Sequence, residues 1–236
     1  MSKKRSFTEH NRNVKNRQER PVLLLIAEGK NVTEKQYLSQ YISTSAFYSI
    51  KFGNAGNTTD PVGLYKIAKK EWSKLGLDSK KGDKAVVILD LDCDNQKAEK
   101  LAALINDDKN IIFVITNPCF ELWFLSHFRY TTKQYRNNEE LILELKNHIE
   151  DYKKTTNVNA CLSCRLNEAM NNATKLEKYH VNANHSWPSN ESNPRTDVHQ
   201  LMDMVLKKKD DVNSVADEID IEIFSSTCKI CFHQFI

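Results

Sequence analysis

No apolar run in this chain approaches the roughly 20 residues needed to cross a bilayer, so a membrane-spanning protein is not expected. The opening segment carries basic side chains where a secretory signal carries an apolar core. The expected location is therefore the cytoplasm, with the six cysteines reduced. There is no internal repeat and no low-complexity tract. No G-x-x-x-x-G-K-S/T segment is present, which excludes an ATPase motor of that type. An RNP aromatic signature is also missing, as is any other base-reading motif. Net charge is only +3 over 236 residues, too little for attraction by bulk charge.

The charge that is present lies unevenly. Lys3, Lys4, Arg5, Arg12, Lys15, Arg17 and Arg20 stand against Glu9 and Glu19 near the start. Asp210, Asp211, Asp217, Glu218, Asp220 and Glu222 crowd the end. A basic arm on a nearly neutral body suits phosphate contact. A solvated, unstructured arm has the same composition.

Pro21 opens VLLLIA, a continuous apolar run of the kind a buried parallel strand shows. Thr33 and Gln36 have capping-box spacing, which predicts a helix from Thr33 to Ile42. AFYSIKF (46–52) alternates as a strand does. Asp60-Pro61 predicts a capped helix with Leu64, Ile67, Ala68 and Trp72 on one face. AVVILDLD (85–92) and NIIFVIT (110–116) read as further buried strands, each followed by a helix, the second capped by Asn117-Pro118. Strand and helix thus alternate four times before residue 130, which predicts an α/β fold with a mostly parallel sheet flanked by helices. Beyond it, Leu141, Leu145, Ile149 and Tyr152 line one predicted helix, 162–176 a second and 198–205 a third. The expected organisation is a basic arm (1–20), an α/β domain (21–130) and a mainly helical extension (131–236), with one late strand in the tail IEIFSSTCKICFHQF.

The chemistry gathers at strand ends. Glu28 closes the first strand; Asp90, Asp92 and Asp94 close the third. Two residues apart on a strand, Asp90 and Asp92 share a face, about 7 Å apart along it. In open α/β sheets ligands bind beyond the carboxyl ends of the strands. If the two strands are neighbours, three carboxylates converge, and a divalent cation relieves their repulsion. Mg²⁺ suits such a site because it needs few carboxylates and keeps several waters. Asp94-Asn95 equally reads as a helix N-cap, whereas the reading of Asp90 and Asp92 as solvated strand ends is the weaker one, given adjacent apolar packing and the second acidic strand end.

Glu28-Gly29 together with Asp90-Leu91-Asp92-Cys93-Asp94 resembles the Toprim domain of topoisomerases, primases and certain nucleases. More closely, AEGKNVTEKQYL (27–38), LDLDCD (89–94) with TNPCFELWFLSHF (116–128), and NPRTDVHQLMDMVL (193–206) resemble the RloB-like family of bacterial defence proteins. The resemblance implies a Toprim-like fold and Mg²⁺- or Mn²⁺-dependent nuclease activity in antiphage defence, often by abortive infection. It places Glu28, Asp90 and Asp92 in both catalysis and metal binding, with Asp94 as a further ligand. The expected partner is nucleic acid, with RNA such as tRNA favoured slightly over DNA. A separate ATPase or sensor component and a homodimer are further expectations. The competing reading is a non-catalytic nucleotide- or nucleic-acid-binding module regulated by a partner.

Other residues admit two readings each. Glu121 is a metal or water contact, or a helix-dipole carboxylate. His127 shuttles a proton or touches phosphate, or it packs. Lys30 and Lys35 flank Glu28 and reach a phosphate, or lie on the surface. Arg195, Thr196 and His199 follow a turn and begin a helix suited to phosphate, or Asp197 merely caps it. The Lys-rich loop 80–84 and the arm are expected to steer a nucleic-acid backbone. Cys161-x-x-Cys164 and Cys228-x-x-Cys231 invite a zinc reading, but no knuckle glycine accompanies the first pair and more than sixty residues separate the two.

Overall fold

The computed structural model describes residues 19–29 and 32–207. The run VLLLIA forms β1 (Val22–Ala27), followed by the short helix α1 (Val32–Leu38) and a 3-10 turn at Ser39–Tyr41. The predicted strand at 46–52 contracts to β2 (Ser49–Phe52). Asp60 accepts from Gly63 N at 3.0 Å and caps α2 (Pro61–Lys74), with proline as the first helical residue. Next come β3 (Lys84–Asp90), α3 (Asn95–Leu104), β4 (Ile111–Asn117) and α4 (Glu121–Ser126). The second half supplies α5 (Asn138–Leu145), α6 (Asn159–Leu162), α7 (Leu166–Asn182), β5 (Arg195–Thr196) and α8 (Val198–Leu206).

The five strands run in the order β2-β1-β3-β4-β5, all parallel except β5, which pairs antiparallel with β4. Alternate side chains of each strand point to opposite faces. Leu23, Leu25, Val86, Ile88 and Val114 enter the core shared with α4, α5, α7 and α8. Leu24, Ile26, Val87, Leu89, Phe113 and Ile115 enter the core under α2 and α3. Burial on both faces is why the strands read as unbroken apolar runs. Among the described residues, no helix is long and apolar enough to cross a membrane.

Several expectations change. The helices beyond residue 130 are not a separate body. Leu141, Leu145, Tyr152, Leu162, Leu176, Leu201 and Met202 share one core with the sheet and α4. Arg195 and Thr196 do not begin a helix but form β5, held by Thr116 opposite Thr196 and Asn117 opposite Arg195. Helix α5 stops at Leu145, and Ile149 and Tyr152 reach the core from the turns beyond it. Asn117 caps nothing: it ends β4, and α4 starts at Glu121 with no side-chain cap. The expected late strand in the tail lies outside the described residues.

Candidate active site

The chain leaves β1 towards β2 on one side, then crosses to β3 on the other. That reversal opens a crevice between β1 and β3 at their carboxyl ends. Glu28 and Asp90 stand at those two ends. Glu28 stays in register, its N–H donating to Ile88 O at 3.1 Å, and Gly29 turns the chain away at φ +59°. Asp90 is buried, and burial holds its carboxyl well above the usual range; Glu28, Glu34, Glu121 and Asp92 then push it further up. Each fully buried leucine on these strands stabilises the fold by about 1.5–3 kcal/mol. A carboxyl sealed among such residues works against that gain and marks a site built for another purpose.

Asp92 does not share the strand face of Asp90. The strand ends at Asp90, and Asp92 and Cys93 take left-handed φ values of 54° and 57°. The two-residue spacing therefore loses its meaning, and tertiary contacts aim Asp92 instead. Its Oδ2 accepts from Lys97 Nζ at 2.8 Å and its Oδ1 from Asn138 Nδ2 at 2.7 Å. The turn is tied down by Asn117 Oδ1, which accepts from Cys93 N at 3.2 Å, and by Asn190 and Asn193, which donate to Cys93 O and Sγ. Asp94 is the N-cap of α3, its Oδ1 accepting from Gln96 N and Lys97 N at 2.8 and 3.2 Å. The capping reading of Asp94 is thus the one its contacts carry.

Lys97 is the residue that sequence reasoning missed. It lies in the first turn of α3, and helix side chains lean towards the helix N-terminus. Its ammonium therefore reaches back over the strand ends, 2.9 Å from Glu28 Oε2 and 2.8 Å from Asp92 Oδ2. Burial disfavours that ammonium, but the two carboxylates outweigh burial and its pKa rises. For Glu28 the balance reverses: burial exceeds the pull of Lys97 and the carboxyl is raised. A basic residue one turn into the helix after D-x-D was the available signal.

A second carboxylate pair lies on the other side of Asp90. Glu34, in the first turn of α1, is buried and pushed up to about 7 by burial, with Glu121 and Glu28 adding repulsion. Glu121 is buried at the start of α4, and its Oε1 accepts from Tyr152 OH at 3.0 Å. The turns after α5 deliver Tyr152 there and dock on α1, where Thr33 Oγ1 donates to Lys154 O at 3.4 Å. Burial opposes the charge on Lys154, yet Glu121, Asp90 and Glu34 raise its pKa. Glu34, Tyr152 and Lys154 left no sequence signal, because only packing of the second half on α1 brings them here.

Among the described residues, no group of three or more His, Cys, Asp or Glu side chains is placed to hold a metal ion. Mg²⁺ and Mn²⁺ do not require such a group, since both accept few carboxylates alongside waters and substrate oxygens. The donor chemistry fits. Hard carboxyl oxygens lie near Asp90, and burial first, then neighbouring acids, raises the Glu34 and Asp90 carboxyls, while burial raises Glu28 against the pull of Lys97. Glu28 and Asp90 are the two residues that would hold such an ion, with waters and substrate oxygens as its other partners.

The remaining candidates fall elsewhere. His127 is buried at the end of α4 with Nδ1 2.9 Å from Trp123 O, and burial lowers its pKa to about 4. It is a neutral packed imidazole, not a phosphate contact. Arg195 and His199 are also buried and both bind Glu177, at 3.0 Å each. Arg195 is ion-paired to Glu177 and His199 Nε2 lies in hydrogen-bond range of the same carboxyl, so both side chains are engaged internally. Residues 80–83 precede β3 and Lys84 begins it, so about 20 Å of strand separates this loop from the crevice. Lys35 is exposed and lines a cleft beside Gly29. Lys30 and arm residues 1–18 lie outside the described residues, while Arg20 Nη1 donates to Ser45 O at 2.7 Å. Cys161 and Cys164 are exposed free thiols split between α6 and a 3-10 turn, and Cys228 and Cys231 lie outside the described residues.

A mostly parallel sheet with acidic side chains gathered at its switch point defines the class: an α/β protein with a carboxyl cluster at its strand ends. The family model described as "RloB-like protein" matches residues 23–205, and the chain belongs to that family. No curated protein and no solved structure matches it.

Proposed function

We propose that this chain is a Toprim-like, divalent-cation-dependent phosphodiesterase acting on nucleic acid in antiphage defence. One observation carries the chemistry: Asp90 is sealed at the switch point among Glu28, Glu34, Glu121 and Asp92. A bound Mg²⁺ or Mn²⁺ would supply water activation and charge neutralisation at a phosphate. Glu28, its carboxyl raised by burial, is the better placed proton acceptor. Tyr152 fixes Glu121, and Asn138 fixes Asp92. Lys97 and Lys154 are the local ammonium groups that would meet the phosphate charge. RNA is favoured over DNA through the resemblance to defence proteins, not through these contacts.

The test is incubation of the pure chain with Mg²⁺ or Mn²⁺ and, separately, tRNA, single-stranded DNA and plasmid. Cleavage should appear with at least one substrate and vanish in Asp90→Asn, whose thermal stability should hold or rise because a repelled charge is removed. An active Asp90→Asn variant would overturn the assignment. The ion pairs from Lys97 to Glu28 and Asp92 favour a second reading, a binding module whose carboxylates are satisfied internally. Nucleic-acid binding without cleavage in any cation would support it.

A further inference from the structure

We propose that the cleft beside Glu28 is a stacking subsite that seats one unpaired nucleobase on Phe52 and the adjoining phosphate on Lys35. This rests on the phosphodiesterase reading and deepens it, because it makes the substrate single-stranded.

The cleft lies between Gly29 and Lys35 on one side and the loop after β2 on the other, and measures about 460 Å³. That is within the range of sites that hold small organic ligands. Phe52, the last residue of β2, is half-buried and lines it, with one side packed on the core. Lys35 Nζ lies 5.8 Å from the centroid of that ring. An exposed cation over a phenyl ring gains only about 2- to 5-fold in an equilibrium. A stacked base gains about 5- to 150-fold. A base therefore displaces the ammonium from the ring and leaves it for a phosphate.

The cleft walls suit this occupant. A Cβ at Gly29 or Gly56 would meet nothing within 4 Å, so bare backbone borders open space there. Asn54 and Asn57 are exposed at the rim and offer carboxamides to a base edge. Gly29 directly follows Glu28, so a nucleotide seated here has its phosphate beside the acidic crevice. A paired base has both faces covered by its neighbours, whereas loops, bulges and single strands can offer one.

The test measures fluorescence anisotropy of the full chain, without divalent cation, against a labelled single-stranded RNA, its abasic version and its duplex. Phe52→Leu keeps apolar packing and removes the π face. It should weaken single-strand binding about 5- to 150-fold while leaving abasic and duplex binding unchanged. Phe52→Trp should restore affinity, with its indole fluorescence quenched on binding, and Lys35→Ala should weaken binding and flatten its salt dependence. Wild-type affinity in Phe52→Leu, or an equal loss on the abasic strand, overturns the subsite while leaving the phosphodiesterase reading intact. No binding of any RNA by the wild-type chain overturns both.

Discussion

Replacing Lys97 with methionine tests the electrostatics of the crevice most directly. The substitution keeps the aliphatic stem and removes the ammonium that donates to Glu28 at 2.9 Å and Asp92 at 2.8 Å. Breaking a fully buried pair from one side costs about 3–5 kcal/mol, and an exposed pair under about 1 kcal/mol. The Glu28 side chain is 14% exposed and that of Asp92 40%. Water can therefore resolvate Asp92 but scarcely Glu28, which places the loss near 2 kcal/mol. For a chain of this size that lowers Tm by about 4–8 °C. The sign with pH follows from Glu28. Its carboxyl is already raised by burial, and losing Lys97 raises it further. A carboxyl raised in the folded state destabilises when ionised, so the cost is full at alkaline pH and shrinks as pH falls through the folded-state pKa. A divalent cation should substitute for the ammonium and stabilise the variant more than the wild type. Urea unfolding with and without Mg²⁺, at alkaline and mildly acid pH, reads all three effects. A variant as stable as wild type at alkaline pH, with the same response to Mg²⁺, would refute the counter-ion role.

Further outcomes follow from the neighbouring residues. Glu34 is raised from 4.5 to about 7, so ionising it costs the folded state about 3 kcal/mol. Glu34→Gln should stabilise the chain above pH 7 in denaturant titrations, and the gain should fade as pH falls from 7 towards 4.5. Asp94→Asn keeps the capping acceptor, so unfolding free energy should stay within about 0.5 kcal/mol of wild type; it should also keep most cleavage activity, and a loss of orders of magnitude would place Asp94 among the ligands. Tyr152→Phe strands a buried carboxylate and should cost about 1–3 kcal/mol, read by urea titration. Lys80→Ala with Lys81→Ala should leave nucleic-acid affinity and its salt slope unchanged, since both residues sit at the far end of β3.

What the sequence by itself determined is the sheet and the two strand ends. The runs VLLLIA and KAVVILD could only be buried strands, and a carboxylate at the end of each was legible because apolar strand interiors leave polar residues nowhere else to go. Turn chemistry was legible at Asp60-Pro61 and at Asp94, where a cap is a local hydrogen bond. The tertiary structure alone decided what surrounds Asp90. Lys97 reaches Glu28 because β1 and β3 are neighbours, a pairing of residues 69 apart. Tyr152 finds Glu121 because the second half folds onto the sheet and does not stand apart from it. Arg195 and His199 look like free phosphate ligands in the sequence, and only the approach of Glu177 on α7 engages both internally. Asp92 lost its strand geometry to a left-handed turn held by asparagines about a hundred residues further on. Local patterns specify where a chain must bury itself or turn; which charges then meet depends on contacts between segments that the pattern does not order.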